Sequence, residues 1–401
     1  MSRRHKTPPA QTLGILAFEA GKTMCRLVSL YNSLSDEQTT NLRREVIKSK
    51  GVSYLNSDQE CFLLNLASAE RLQDLDAAAS TVSRLGRKCS DISLSQFDRV
   101  YADLKLGHIN LCKLQYGSRT AGKLVNKTKK LVFATAALHS AMSSMAEMEA
   151  ADKKIQQRCK TATNEYLSEK IAFQRKEVQH YKETSLWEQT FDKTVGIMAR
   201  LVCIVYSRIC SVFGSYNDGF CLLEHRELYK MMQESVHKRV TKFAAVTGNG
   251  GDKVLGLAPP STVGGAGLSV RYAEVILFAE RWLHAPETVG EGAREVLYEM
   301  LPERLRGKVR AKLRGRLVEE EGVLLADGWR EAVEELMEWL SPVAQDTVQW
   351  QAERHLETAQ FETRPTVLRM QTLHYSDLEK AEAAIVEVLV GLSCIYWCER
   401  R

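Results

Sequence analysis

Between Leu131 and Trp187 the chain has the sequence LVFATAALHSAMSSMAEMEAADKKIQQRCKTATNEYLSEKIAFQRKEVQHYKETSLW. Apolar or small residues recur there at steps of three, four or seven residues, namely Leu138, Met142, Met145, Met148, Ile155, Cys159, Ala162 and Tyr166. This alternation predicts a long helix with one narrow apolar seam, the pattern of a coiled coil, and such a seam needs a partner helix. Asp152 fills the slot between Met148 and Ile155. Either Asp152 sets the register with a partner helix, or it faces solvent where the helix bends.

The distribution of proline extends this prediction to most of the chain. No proline occurs between Pro9 and Pro259. Proline breaks interior helical turns because it lacks an amide hydrogen, so its absence favours helix throughout this region. No stretch shows the sustained alternation of apolar and polar residues that indicates a strand. We therefore predict an all-α protein of multi-helix bundles, with a long central coiled-coil-like helix and no substantial sheet.

Composition and charge indicate an ordinary globular protein. Hydrophobic residues make up 44% of the chain and charged residues 26%. The net charge of +5 arises from 55 basic and 50 acidic residues, and this near balance is not typical of a nucleic-acid-binding protein. The 10 cysteines are scattered without paired spacing, as in reduced proteins of the nucleus or cytoplasm. We expect a protein that is neither secreted nor, with Ser2 after the initiator Met, myristoylated.

Two apolar runs are candidates for membrane spans. The first, Val195 to Phe213, is interrupted by Arg200 and Arg208. The second, Val388 to Cys398, is shorter than the roughly 20 apolar residues that a span requires. We interpret both runs as buried core helices and predict no transmembrane segment.

A cluster of glycine and proline marks the main predicted domain boundary. It comprises Thr247-Gly248-Asn249-Gly250-Gly251-Asp252 and Ala258-Pro259-Pro260-Ser261, which favour turns over helix. The predicted scheme is a basic flexible N-terminus (1–12), an N-terminal helical domain (13–90), a long-helix middle region (91–246), a linker (247–262), a second helical domain (263–345) and C-terminal helices that pack on the bundle (346–401).

Two glycine motifs resemble nucleotide-binding loops only in part. Gly21-Lys22-Thr23 could end a phosphate-binding loop, but Leu16 stands where that motif needs its first glycine. We predict instead that Lys22 lies on the surface of an amphipathic helix. Gly264-Gly265-Ala266-Gly267 is half of a dinucleotide fingerprint, with Val270 in place of the third glycine. We predict that this segment is a flexible entry that lets the next helix pack closely on a neighbour.

No reaction centre or metal site emerges from residue spacing. Cys394 and Cys398 are one helical turn apart, but a structural zinc site needs four ligands, so we interpret both as core thiols. The nine histidines form no metal-binding array. We predict no catalytic residues, no metal, no cofactor and no enzymatic activity. An enzyme whose site assembles only in space is the alternative.

The sharpest charge feature is a basic segment predicted to be helical. Its cations are Arg304, Arg306, Lys308, Arg310, Lys312, Arg314 and Arg316. Leu305, Val309 and Leu313 repeat every four residues, so the helix buries this stripe and surrounds it with cations. One interpretation is a contact surface for an acidic protein, an anionic lipid, nucleic acid or an import receptor. The other is a solvated face partly neutralised by the acidic run 319–321.

Several further blocks of sequence occur in order along nearly the whole chain. In the first half these are Leu13-Gly14-Ile15-Leu16-Ala17-Phe18-Glu19-Ala20, Ser33-Leu34-Ser35-Asp36, Arg84-Leu85-Gly86-Arg87-Lys88-Cys89 and Ser185-Leu186-Trp187 with Phe191-Asp192. In the second half they are Thr262-Val263-Gly264-Gly265-Ala266-Gly267-Leu268, Tyr272-Ala273-Glu274-Val275-Ile276, Leu297-Tyr298-Glu299-Met300-Leu301-Pro302, Gln371-Thr372-Leu373-His374, Glu379-Lys380-Ala381-Glu382-Ala383-Ala384-Ile385 and Leu389-Val390-Gly391-Leu392.

Together these blocks resemble the plant phytosulfokine-simulator family. This resemblance implies two plant domains of unknown function and a non-catalytic helical protein. It also implies a growth-promoting role linked to peptide-hormone signalling and an association with the nucleus. From it we expect an adaptor or regulator that contacts other proteins, with self-association through the central helix as one form of contact. A peripheral binder of anionic lipid or nucleic acid, acting through residues 304–316, is the alternative. The resemblance supplies no ligand-binding residues, and it leaves open whether the role is in growth, in defence or in both.

Overall fold

A computed structural model describes residues 11–109, 118–158, 165–214, 258–285, 292–318, 326–359, 361 and 367–400. Across these ranges the chain forms helices and no strand. Backbone bridges of the β type occur there as the isolated pairs Thr12–Thr190 and Thr262–Asp377. The prediction of an all-α protein without a substantial sheet is therefore confirmed.

The described helices follow one another in a simple order. They are α1 (Leu16–Ser33), α2 (Asp36–Asn41), a π-helical turn (Leu42–Val46), α3 (Lys50–Leu55), α4 (Glu60–Gly86), α5 (Ile92–Ser95), α6 (Phe97–Lys105), α7 (Ser118–Arg158), α8 (Glu165–Thr184), α9 (Phe191–Gly214), α10 (Ser269–His284), α11 (Ala293–Met300), α12 (Glu303–Val318), α13 (Ala326–Ala359), a 3₁₀ turn (Arg369–Gln371) and α14 (Leu378–Arg400).

The chain divides into two compact units, each assembled from three separate segments. The first unit comprises the described residues of Met1–Ser35, Arg71–Val212 and Arg354–Pro365, and the second those of Asp36–Glu70, Phe213–Glu353 and Thr366–Arg401. The linear domain scheme drawn from sequence is a different division and stays a prediction. Most of its linker, residues 247–257, lies outside the described residues.

The central element of the first unit is a pair of antiparallel helices, α7 and α8. Gln174 of α8 donates a hydrogen bond to the carbonyl oxygen of Ala141 at 3.4 Å, and Arg175 pairs with Glu149 at 2.9 Å. Val178 is buried in the same small core as Ala141. The predicted rod from Leu131 to Trp187 is therefore two helices that cover each other. A heptad-like pattern identifies the buried face of a helix, but it does not specify which helix covers that face.

The seam residues on α7 follow the predicted pattern where the structure describes them. Leu138 is fully buried, and Met142 and Met145 pack against the same core. Tyr166, at the start of α8, is instead 72% exposed. Cys159 and Ala162 lie outside the described residues, as does the side chain of Arg158.

Helix α1 packs on α7 within the first unit and contains the Gly21-Lys22-Thr23 motif. The motif lies inside the helix, with Gly21 buried beside Thr135 of α7 and Lys22 half-buried. A phosphate-binding loop requires backbone amides that precede a helix, and amides inside a helix are already bonded. Phe18 of α1 meets His139 of α7 edge to face at 5.1 Å between ring centroids.

The second unit has a large apolar core to which α10, α12, α13 and α14 contribute. Tyr272 of α10 and Leu340 of α13 are fully buried there, together with much of α14. Leu305 and Val309 of α12 are buried and Leu313 is partly buried against this core. The stripe predicted on the basic helix is therefore confirmed.

Two helices are long and apolar enough, by length and composition, to cross a membrane: Phe191–Gly214 and Leu378–Glu399. Their lengths, 24 and 22 residues, exceed those of the apolar runs seen in the sequence. The fold buries 56% of the most apolar stretch in the first helix and 67% in the second. This burial agrees with the interpretation of both as core helices.

The glycine segment before α10 makes a close backbone crossing in the second unit. The amide of Gly264 donates to the carbonyl oxygen of His374 at 3.0 Å, and a Cβ at Gly264 would collide with that oxygen. Gly267 has a φ of 71°, a conformation that favours glycine. The close approach is made by the glycine segment itself to the chain that precedes α14, whereas the sequence analysis placed it at the following helix.

Candidate functional site

The basic helix α12 lies with its apolar stripe on the core, which places its cations along the two edges of that stripe. One edge faces a buried carboxylate. Glu382 of α14 is 1% exposed and accepts hydrogen bonds from the Tyr272 hydroxyl at 2.9 Å and the Lys308 ammonium at 2.6 Å. Arg304 Nε lies 3.0 Å from the same carboxylate. Two cations and a phenol thus compensate the burial of one negative charge.

Two further ion pairs join α12 to α14. Lys312 pairs with Glu387, and Arg304 also approaches Glu379 at 3.5 Å. Burial raises the pKa of Tyr272, and its hydrogen bond to Glu382 adds to that shift. Tyr272 therefore stays a neutral hydrogen-bond donor at physiological pH.

Arg306 and Arg310 lie around Tyr298 of α11. The Arg306 guanidinium donates to the carbonyl oxygens of Glu299 and Leu301 at 2.9 and 2.8 Å, where α11 ends. The Arg306 and Arg310 guanidinium carbons lie 5.2 and 5.3 Å from the centre of the Tyr298 ring. Cations near the last carbonyls of a helix stabilise its C-terminus, so Arg306 acts within the fold.

The other cations of the predicted contact surface are exposed, paired with carboxylates or outside the described residues. Arg314 is exposed, whereas the side chain of Arg316 and the acidic run 319–321 lie outside the described residues. Arg304, Lys308 and Lys312 are engaged with carboxylates of their own unit. The binding role of residues 304–316 stays a prediction. Among the described side chains Arg304, Arg310 and Arg314 are exposed, and Arg304 is the one of these three that an ion pair ties to Glu382.

A second polar cluster in this unit was not predicted from the sequence. Its centre is Glu70, at the end of the second unit's first segment and 4% exposed. Glu70 accepts from the Trp350 indole N–H at 3.1 Å and from the backbone amide of Arg369 at 2.7 Å. The Arg369 guanidinium, 2% exposed, lies over the Trp350 ring at 5.0 Å. Glu70 thereby fixes the 3₁₀ turn that precedes α14.

His374 completes this cluster. Its ring stacks on Trp350 at 6.4 Å between centroids, and its Nε2 is buried without a hydrogen-bond partner among the described residues. Burial, with the nearby charge of Arg369, lowers the pKa of His374 to about 4. Burial raises the pKa of Asp346 to about 6, and the amide of Gln371 donates to Asp346 at 3.3 Å. The cluster thus holds a neutral histidine and a weakened acid.

The sequence offered little signal for this cluster because its members are far apart in the chain. Residues 70, 350 and 369 meet only after folding, and no short motif connects them. The block Gln371-Thr372-Leu373-His374, quoted for the family resemblance, is the one local signal, and it contains the histidine. Such a block marks a constrained region without identifying the partners of its side chains.

The described residues contain no group of three or more His, Cys, Asp and Glu side chains that could hold a metal ion. Cys394 is buried and Cys398 half-buried on α14, both as free thiols. The described polar clusters compensate buried charges and fix the conformation of turns.

The class of protein follows from the fold and from matches to two family models. Residues 15–71 match the family described as Domain of unknown function (DUF3475). Residues 262–349 match the family described as Protein of unknown function (DUF668). The chain is therefore an all-α protein with a segment that matches each of these two domains.

Three relatives come from Arabidopsis thaliana, and the chain is homologous to them over most of its length. It is 26% identical to Protein PSK SIMULATOR 1 over 96% of this chain and 56% of the relative. It is 26% identical to Protein PSK SIMULATOR 3 over 95% of this chain and 56% of the relative, and 24% identical to Protein PSK SIMULATOR 2 over 94% and 58%. The chain thus spans less than two thirds of these relatives. No solved structure matches it.

Proposed function

We propose that this protein is a non-catalytic helical regulator of plant growth in phytosulfokine-type peptide-hormone signalling. It acts as an adaptor through contacts with other proteins, in the nucleus, the cytoplasm or both. The observation that carries this proposal is the homology to the PSK SIMULATOR proteins, which extends over 94–96% of this chain.

The described structure supports an adaptor in a second way. Buried polar side chains in it stabilise contacts within the fold. Examples are Glu382, which pairs with Lys308, and Glu70, which accepts a hydrogen bond from the backbone amide of Arg369. The helices present their outer faces to solvent, and surfaces of this kind are suited to protein contacts.

Growth rescue tests this proposal. The full chain is expressed in Arabidopsis thaliana plants that lack the three PSK SIMULATOR proteins, and seedling growth is measured with and without added phytosulfokine. We expect partial or full restoration of growth, together with recovery of specific partner proteins when the chain is purified from the plants. Normal accumulation of folded protein without any change in growth would contradict the proposal.

The alternative function, binding of anionic lipid or nucleic acid through α12, has a separate test. Binding of this kind weakens as salt increases, because phosphate neutralisation releases counterions. Sedimentation with phosphatidylserine vesicles and gel shift with DNA, each at low and high salt, separates it from a protein-binding adaptor.

A further inference from the structure

The second unit contains a groove between α10 and α13 that neither the sequence pattern nor the homology points to. Its volume is about 570 Å³. It is lined by Glu280 and His284 of α10 and by Glu331, Glu334, Glu335, Met337, Glu338, Ser341, Pro342 and Gln345 of α13. We call this feature the acidic groove. Its lining carries five glutamates and neither lysine nor arginine.

The glutamates on α13 are spaced to form one stripe. Glu331, Glu334, Glu335 and Glu338 occupy positions i, i+3, i+4 and i+7, which share one face of a helix. Like charges at these spacings repel each other, so the stripe destabilises α13 unless cations approach it. One cation already does so, since Lys50 lies 3.3 Å from Glu335, but both side chains are mostly exposed and free to exchange partners.

Ser341 provides an independent indication of a ligand. It lines the acidic groove, is 4% exposed, and its hydroxyl has no hydrogen-bond partner among the described residues. Pro342 follows it and has no N–H, so it cannot donate to the carbonyl oxygen of Glu338 one turn earlier. Carboxylates and a carbonyl only accept hydrogen bonds, and a hydroxyl can accept as well as donate, so acceptors outnumber the donors that His284 and Gln345 add to the lining. The lining of the groove therefore matches a ligand that is rich in donors.

A compact cation does not meet this requirement. The described residues contain no group of three or more acidic, histidine or cysteine side chains close enough to hold a metal ion. The carboxylates extend instead over a distance of about 10 Å, at about 1.5 Å per helical residue. An extended ligand with several cationic donors matches this spread, and arginine supplies five N–H donors in one side chain.

We infer that the acidic groove binds a basic helical segment of a partner protein, with arginine or lysine at i, i+3, i+4 and i+7 positions. The cations of that segment pair with the glutamate stripe, and one donor reaches the Ser341 hydroxyl. This inference rests on the proposed role as a protein-binding adaptor and specifies the chemistry of one partner.

Two synthetic peptides test the inference with the full chain. Both are labelled, alanine-based helices with the same arginine content; one carries arginine at i, i+3, i+4 and i+7, and the other distributes arginine around the helix. Fluorescence anisotropy at low salt measures binding. We expect the first peptide to bind more tightly, and Glu334→Gln with Glu338→Gln to weaken it about tenfold, because charge complementarity is lost.

A matched control removes the same charge elsewhere. Glu169→Gln with Glu188→Gln neutralises two exposed glutamates that do not line the acidic groove and leaves the affinity within about twofold, since exposed charges outside a binding site contribute little. Ser341→Ala retains the fold, because alanine has a higher helix propensity than serine, and it weakens binding a few-fold. Circular dichroism and thermal unfolding verify that each variant is folded.

Three results would overturn the inference. Equal binding of both peptides would show adhesion of any polycation, and equal binding by the Glu334→Gln, Glu338→Gln variant would exclude the acidic groove. A concentration-dependent doubling of mass that this variant abolishes would assign the groove to a second copy of the chain. These results are distinct from failure of growth rescue, because the peptide measurement does not depend on any role in growth.

Discussion

At the scale of single residues, His374 makes the stability of this protein sensitive to acid. Its pKa is lowered from 6.5 to about 4 by burial. In the unfolded chain His374 binds a proton as the pH falls below 6.5, whereas in the folded chain it binds that proton only near pH 4. We expect His374 alone to remove about 3 kcal/mol of stability between these pH values, which urea unfolding at several pH values measures. His374→Gln should flatten this dependence, and an unchanged profile would contradict it.

Asp346 opposes this effect over nearly the same pH range. Its pKa is raised from 3.8 to about 6, so below pH 6 the folded chain binds a proton more readily than the unfolded chain does. That protonation adds stability as the pH falls, and it is lost as the pH rises through 6. The variant Asp346→Asn should therefore be more stable than the parent at pH 7 and should lose stability more steeply in acid.

Residue by residue, the sequence predicts burial better than it predicts partners. The stripe of Leu305 and Val309 follows from local spacing because helical geometry alone sets it. The pairing of Lys308 with Glu382 does not, because 74 residues separate them and many carboxylates compete at the level of sequence. Side chains such as His374 acquire their properties only from neighbours that the fold brings together.

At the scale of elements, the contact between α12 and α14 depends on the buried carboxylate of Glu382. Replacement by the neutral isostere in Glu382→Gln removes the charge that Lys308 and Arg304 compensate. We expect a loss of about 2 kcal/mol, because charged hydrogen bonds to a buried group are lost. Glu379→Gln is the matched control on the same helix: its side chain is 83% exposed, and the expected loss is below about 0.5 kcal/mol. Equal losses in the two variants, measured by urea unfolding, would refute this account.

The contact between α3 and α13 depends on the absence of a side chain at Gly51. A Cβ there would lie 2.6 Å from the carbonyl oxygen of Trp339. This backbone atom cannot move aside as easily as the end of a flexible side chain. We expect Gly51→Ala to cost about 2 kcal/mol through overpacking. Gly122→Ala in α7 is the matched control, since its Cβ meets open space and should gain about 0.5–1 kcal/mol. Thermal unfolding of both variants decides the point, and a neutral Gly51→Ala would contradict it.

The helices themselves were predictable, and their pairing was not. The apolar seam around Leu138 and Met142 indicated a long helix that needs a partner. That the partner is α8 of the same chain, with Val178 in the shared core, depends on where the chain reverses direction. Apolar residues keep helical spacing in both helices, although the buried face of α8 includes Ile171 and Val178 and not Tyr166. The spacing alone therefore could not distinguish one rod from two antiparallel helices.

At the scale of the whole molecule, each compact unit combines segments that are distant in sequence. The absence of proline between Pro9 and Pro259 and the lack of strand-like alternation sufficed to predict an all-helical protein, because both are properties of the sequence itself and need no knowledge of contacts. The assignment of segments to units depends on specific long-range contacts, such as that of Glu70 with Trp350 and Arg369. Several blocks behind the family resemblance also act as structural anchors: Asp192 accepts hydrogen bonds from the Ser90 and Asp91 amides.

The closure of α7 and α8 on each other also bears on the oligomeric state. Because α8 covers the seam on α7, no second chain is needed, and we expect a mass of 45.2 kDa by light scattering at all concentrations tested. Asp152→Leu should leave this mass unchanged for the same reason. A rise with concentration would contradict the expectation. The outer face of α8, where Tyr166 and Phe173 are 72% and 68% exposed, would then be the surface to change, and loss of the rise on Tyr166→Ser with Phe173→Ser would locate self-association there.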